Sequence, residues 1–189
     1  MIRRPIATAL AFGAITAFAQ SPQDPRPLIA EQKEAMATLG FMDGVWRGMA
    51  TTVRPGGEKH TITQTERIGP FLDGSVKVIE GRGYDASGAV AFNALGIISY
   101  DPARKAYAMR SYALGRAGDF PVTLREDGYA WEIPQPRGKI LYTATVKDNA
   151  WHEVGDRIGP DGTATRFFEM KLERVGATDW PLGTPVAPK

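Results

Sequence analysis

The chain has 189 residues, with 23 Lys and Arg against 21 Asp and Glu, and no cysteine. The missing thiols exclude disulfide-stapled folds, thiolate metal sites and cysteine nucleophiles, so the fold must rest on burial alone. With 43% hydrophobic and 23% charged residues the composition is that of an ordinary soluble domain, long enough for one good core and too short for two.

Met1 to Arg4 form a short cationic start, Ile6 to Phe18 an uncharged and mostly apolar run, and Ala17-Phe18-Ala19 places small residues where a signal peptidase reads. Residues 1–19 are therefore expected to be a Sec signal peptide, cut between Ala19 and Gln20, and the protein to be periplasmic or secreted. Pro5-Ile6-Ala7 is a poor continuation for a twin-arginine signal, and the apolar run falls short of the ~20 residues that a membrane span needs. Without Arg3 and Arg4 the basic residues fall to 21, equal to the 21 acids. That balance offers no cationic surplus for nucleic acid.

Gln20 to Pro27 is polar and Pro-rich and reads as a flexible leader. Leu28 to Leu39 carries Leu28, Ile29, Ala35, Met36 and Leu39 at helical spacing, with charged residues on the other face and Gly40 as a stop, which predicts one amphipathic helix. Beyond Gly40 the period becomes that of strands. Ten runs appear, about Val45–Val53, His60–Ile68, Ser75–Tyr84, Val90–Tyr100, Lys105–Leu114, Phe120–Arg125, Tyr129–Ile133, Lys139–Lys147, Trp151–Asp156 and Ala164–Val175. Between them lie tight reversals such as Pro55-Gly56-Gly57, Asp85-Ala86-Ser87-Gly88, Asp127-Gly128 and Asp148-Asn149. Short turns make successive strands antiparallel neighbours, and a meander of this length removes its open edges by closing. The fold expected is all-β, a single up-and-down barrel of about ten strands in a domain over residues 28–175, with the one helix before it and a tail over 176–189.

Several strands have no purely apolar face. His60, Ile62, Gln64, Glu66 and Ile68 alternate along one run, and Val76, Val78, Glu80, Arg82 and Tyr84 along the next. Charges on both faces argue against a barrel that faces lipid and suggest a lumen that is wet or holds a ligand.

Gly44-Val45-Trp46-Arg47-Gly48, a G-x-W-x-G directly after the helix, resembles the opening of the calycin barrels, the lipocalin and fatty-acid-binding-protein group. Gly96 to Pro102, Lys105-Ala106-Tyr107, Trp151-His152-Glu153 and Phe167 to Arg174 add to this, and together they resemble a bacterial family catalogued as domain of unknown function 1579, over most of Leu39 to Val175. The resemblance implies a calycin-like barrel and brings no settled reaction. It also implies that Trp46 packs across the barrel floor against a basic residue of the last strand, for which Arg174 stands in place. Nitrobindin-like barrels share G-x-W-x-G and bind haem through a histidine, but Met49-Ala50-Thr51-Thr52 lacks their glycine–tyrosine–proline continuation. His60 and His152 read as surface or loop residues, so no cofactor and no metal is expected.

The candidate chemistry is carried by charges in mid-strand. Glu66, Glu80, Glu132, Glu153 and Glu169 fall within strands, where an enclosed carboxylate must be paired, hydrated or protonated. Arg82 and Arg110 are available partners. The lumen candidates are Glu66, Glu80, Arg82, Arg110, Tyr112, Trp131, Glu132 and Glu169, with Arg110 the residue to orient an anionic head group. No phosphate loop and no Ser nucleophile elbow is present, and no residue is assigned as catalytic. The reading is an exported barrel that binds a small hydrophobic or amphipathic molecule. Two alternatives stand beside it: an isomerase or hydrolase using Glu and Arg in the same cavity, and an interaction domain with a filled barrel.

Overall fold

The computed structural model describes residues 24–183 and 186–188. The signal-peptide and cleavage expectations fall on residues outside these. Among the described residues helix α1 spans Arg26–Ala37, a 3-10 turn follows at Gly40–Met42, and ten strands come after it. They are β1 Gly44–Val53, β2 Lys59–Phe71, β3 Val76–Tyr84, β4 Val90–Asp101, β5 Ala106–Ala113, β6 Arg116–Arg125, β7 Gly128–Gln135, β8 Gly138–Lys147, β9 Ala150–Ile158 and β10 Ala164–Gly176. Every strand pairs antiparallel with its chain neighbour, and β1 pairs with β10 to close the barrel. Closure leaves no open sheet edge.

Two expected boundaries move. The helix begins at Arg26, inside the stretch read as a leader, because Pro27 falls in its first turn, where the missing N–H costs no intrahelical bond. Strand β6 begins at Arg116, because Leu114 and Gly115 turn the chain with positive φ of 52° and 72°. Gly115 to Gly118 therefore holds one tight turn and the start of a strand.

The barrel has a closed end and an open end. At the closed end lie the start of β1, the end of β2 and the start of β9, where Trp46, Ile68 and Trp151 are almost fully buried. The helix lies across this end. Gln32 donates to the Tyr100 carbonyl at 2.9 Å, the Tyr107 hydroxyl donates to the Ala35 carbonyl at 2.8 Å, and Met36, Leu39 and Met42 enter the core. Leu28 and Ile29, expected on the packed face, are exposed in the first turn. The buried ammonium of Lys77 is paired with Asp43 beside the floor.

The two glycines of G-x-W-x-G are required by close approaches. A Cβ on Gly44, whose φ is 148°, would lie 2.6 Å from a guanidinium nitrogen of Arg174, and a Cβ on Gly48 would lie 2.0 Å from the Lys171 carbonyl oxygen. Gly44 makes room for the arginine and Gly48 lets β10 pair closely with β1. The segment after β10 returns along the outside of β2, where Trp180 meets Phe71 edge-on at 5.6 Å and Arg67 lies 5.7 Å over its ring. Among the described residues no helix is long and apolar enough to cross a membrane.

Candidate functional site

The floor is a stack built around Trp46. The guanidinium carbon of Arg174 lies 4.3 Å from the Trp46 ring centroid, and Trp46 meets Trp151 edge-on at 5.6 Å. Trp46 Nε1 donates to the Met42 carbonyl at 2.9 Å; Arg174 donates to the carbonyls of Phe41, at 2.8 Å, and Asp43. The arginine thus satisfies carbonyls at the end of the 3-10 turn while covering the indole face, so the stack joins helix, first strand and last strand.

Above the floor lies a polar belt. Glu66 on β2 is opposite Trp46 on one side and Gly81 on the other, and both of its carboxyl oxygens lie within 2.9 Å of where a Gly81 Cβ would be. Glycine at 81 lets the carboxyl lie flat against the wall. Gln64 Nε2 donates to Glu66 Oε1 at 2.8 Å. Across the lumen Glu153 on β9 accepts from Trp131 Nε1 at 3.1 Å and from the Tyr129 hydroxyl at 3.4 Å. Trp151 Nε1 is buried without a partner of hydrogen-bond geometry, although its N–H adds to the pull on Glu153.

Glu66 and Glu153 are 9% and 7% exposed, and the charges that act on Glu66 are the acids Glu153 and Glu80. Burial pushes the Glu66 carboxyl up to about 8, with the repulsion of Glu153 adding to it and the Gln64 bond opposing it. Burial also raises Glu153, against the donors that hold it. The same enclosure, followed by the field of Glu153, pushes Tyr142 up to about 12. Near neutral pH the Glu66 carboxyl thus favours its protonated, uncharged form.

From the belt an aromatic ladder climbs to the open end. Trp131 stacks on Tyr142 at 4.3 Å with planes 8° apart, and Phe120 lies 5.7 Å from Trp131. Tyr142 meets Phe167 at 5.9 Å and Phe168 at 5.7 Å, both edge-on. A bulge between Arg166 and Phe168 in the pairing of β10 with β9 puts an extra residue, Phe167, beside Phe168. At the rim Arg157 lies 4.1 Å over the Phe167 ring. Ile62, Phe92, Phe120, Trp131, Ile140, Tyr142 and Phe168 occupy inward alternation positions yet remain partly exposed, so solvent reaches the inner wall through the mouth.

Of the sequence candidates, the barrel brings Glu66 and Trp131 into the lumen. The others belong to the exterior, which corrects the expected placement. Glu80 and Arg82 pair with each other at 2.6 Å, Arg110 pairs with Asp119 at 2.6 Å beneath Tyr112, and Glu132 pairs with Lys139 at 2.7 Å. Glu169 accepts from His152 and Lys171, each at 2.9 Å, so His152 is also on the outside. His60 is partly buried near the mouth. Among the described residues no three His, Asp or Glu side chains form a group that could hold a metal.

The reason is register. Glu66 faces Gly81 across the β2–β3 ladder, so β3 turns Lys77, Ile79, Gly81 and Gly83 inward and Val76, Val78, Glu80 and Arg82 outward. The pair of glycines at 81 and 83 was the available signal, since inward glycines mark places where side chains from neighbouring strands lie against the wall. Glu153 was named among the mid-strand carboxylates but not among the lumen candidates, and Gln64, Tyr129 and Tyr142 were likewise left out of that set. Glu153 shares its face with Trp151 and Gly155, and an anchored core tryptophan two residues away is what would have placed it inside.

Fold and site together define the protein as a closed ten-strand up-and-down barrel whose lumen is plugged at one end and open at the other. No family model matches the chain, and no curated protein matches it. Among solved structures, the crystal structure of Rv2717c from M. tuberculosis is similar, with a TM-score of 0.56 and 9% identity, covering 74% of this chain and 96% of that chain. At this identity the likeness speaks for the fold alone.

Proposed function

We propose that this barrel binds a small hydrophobic or amphipathic molecule, which enters at the open end and lies along the aromatic ladder above the Glu66–Glu153 belt. The observation that carries this is the partial exposure of Trp131, Tyr142, Phe120 and Phe168 from inside a barrel whose other end is sealed. A filled interaction barrel would bury those residues as fully as Trp46 and Trp151. Ligand pockets combine this kind of apolar wall with a few convergent polar groups, here Glu66, Gln64 and Glu153. Export through a Sec signal and membership of the domain of unknown function 1579 family belong to the same proposal, supported by residues 1–19 and by the motifs around Trp46 and Trp151.

Native mass spectrometry of the purified protein, followed by extraction of any bound molecule, tests the binding. A co-purifying or exchangeable apolar ligand, lost on Trp131→Ala with Trp46 intact, is the expected result. Failure to bind any apolar probe under native conditions would favour the filled-barrel reading.

One observation favours an enzyme as the second reading: two interior carboxyls, one protonated near neutrality, are the equipment of general acid–base proton transfer. The arginines expected to assist lie outside. Deuterium taken from solvent into carbon positions of a recovered ligand by the wild type, and not by Glu66→Gln, would establish it. Equal incorporation in both would remove it.

A further inference from the structure

A groove of about 400 Å³ opens at the mouth between the β7–β8 and β9–β10 hairpins, lined by Gln135, Arg137, Lys139, Arg157, Thr163 and Thr165 among others. Its volume falls in the range of small-molecule sites. It shares Ile140 and Arg157, opposite each other on β8 and β9, with the inner wall of the barrel. The groove and the aromatic ladder are thus continuous.

The charges around this groove are unequal. Each nearby carboxylate is committed: Glu132 to Lys139 at 2.7 Å, Asp156 to Arg166 at 2.6 Å, and Asp161 to the backbone N–H and hydroxyl of Thr163 at 3.0 and 2.8 Å. Arg137 and Arg157 have no carboxylate partner among the described residues. Arg157 is held by Phe167, 4.1 Å under its guanidinium, which leaves its edge N–H groups to donate elsewhere. A stacked, oriented guanidinium is suited to bidentate contact with carboxylate or phosphate. Deeper in the lumen the character is reversed: Glu66 and Glu153 are buried, the charges that act on Glu66 are acids, and the floor cations Lys77 and Arg174 are taken up by Asp43 and by the carbonyls of Phe41 and Asp43.

We propose that the groove at Arg137 and Arg157 binds the anionic head group, carboxylate or phosphate, of an amphiphile whose apolar part follows the ladder from Phe167 to Trp131. This rests on the lumen-binding reading and adds the head-group chemistry and the orientation: charge at the rim, tail toward Glu153. The acidic belt contributes by disfavouring the opposite orientation, in which an anion would be buried against Glu66 and Glu153 without a counter-charge.

Calorimetric titration with decanoate, decyl phosphate, decanol and inorganic phosphate, at low salt, tests the proposal. At least one anionic amphiphile should bind about tenfold or more tightly than decanol, the scale of one charge-assisted contact, and which of the two is favoured identifies the head group. The advantage should shrink with added salt. It should fall by about tenfold in Arg137→Met and in Arg157→Met, through lost affinity for the anion and not through a gain for decanol. Arg137 is exposed, so its variant reports binding without endangering the fold should loss of the Phe167 stack harm the other. Decanol binding as tightly as the anions overturns this proposal and leaves the lumen reading standing. Inorganic phosphate binding as tightly as decyl phosphate overturns it too, by showing an anion site that holds no tail. No binding by any of the three decyl compounds overturns the lumen reading and this one together.

Discussion

The two ends of the barrel use the same kinds of residue in opposite ways. At the floor, Trp46, Trp151 and Tyr129 interlock with Arg174 and are almost wholly buried, with the helix laid across them. At the mouth, Trp131, Tyr142, Phe167 and Phe168 make an equally continuous set of ring contacts with Arg157, yet most of these rings stay in touch with solvent. The difference lies in what covers each end. Arg174 turns its N–H groups onto the carbonyls of Phe41 and Asp43 and so is bound into the fold, whereas Arg157 has a stacked face and free donors. A cation on an aromatic ring serves stability when its donors are consumed by backbone, and recognition when they are left open.

If this contrast holds, the largest effects belong to the floor. Trp46→Ala should destabilise the protein by about 3–5 kcal/mol as a large core truncation, measured by urea unfolding. Trp131→Ala at the half-exposed rung should cost about half as much while abolishing ligand binding, and equal losses in the two variants would break the comparison. Gly48→Ala should rival Trp46→Ala, because its Cβ would lie 2.0 Å from the Lys171 carbonyl and the β1–β10 seam would have to part.

The polar belt between the two ends gives a pH signature. Glu66 titrates at about 8 in the fold against 4.5 ordinarily, so between these values the folded state holds a proton that the unfolded chain has released. Its contribution is fully present below the unfolded value and is lost as pH rises toward the folded one, with a slope of at most ~1.4 kcal/mol per pH unit. Glu153, also raised, acts in the same direction. Thermal melts should therefore show stability falling from about pH 5 to pH 8, following the carboxyl linkage. Glu66→Gln should flatten part of the slope and be more stable than the wild type at the alkaline end. A wild type that gains stability over this range would mean that the carboxyl is not enclosed.

The smallest effect is expected outside the wall. Arg110→Met removes an exposed, solvent-screened pair with Asp119 and should leave the urea unfolding midpoint essentially unchanged. It should leave the affinity for an anionic amphiphile unaltered, in contrast to Arg157→Met. A loss of anion binding in the Arg110 variant would move recognition from the mouth to the exterior and undo the contrast between Arg157 and Arg110.

Local chemistry was enough to read much of this protein from its sequence. Turn residues at Pro55-Gly56-Gly57, Asp85 to Gly88 and Asp148-Asn149 fix where the chain reverses, β-branched and aromatic runs fix ten strands, and short reversals force neighbours to be antiparallel, so a meander barrel follows with little freedom. The stretch before Gly40 has helical spacing and no strand period, and it is helical. The Trp46–Arg174 stack was expected only through the resemblance of the G-x-W-x-G opening to calycin barrels, since nothing local to either residue pairs them. What sequence could not decide was which face of each strand looks inward, because Glu66 and Glu80 have the same local surroundings of alternating apolar and charged residues. Only the β2–β3 register, with Glu66 opposite Gly81, puts one carboxyl inside and the other out, since a shift of one residue exchanges the two faces. The floor anchors that register through Trp46 opposite Glu66, and the bulge at Arg166–Phe168 resets it at the mouth. The polar belt and the rim groove arise from side chains of distant strands meeting across a closed barrel, a relation that alternation along one strand does not contain.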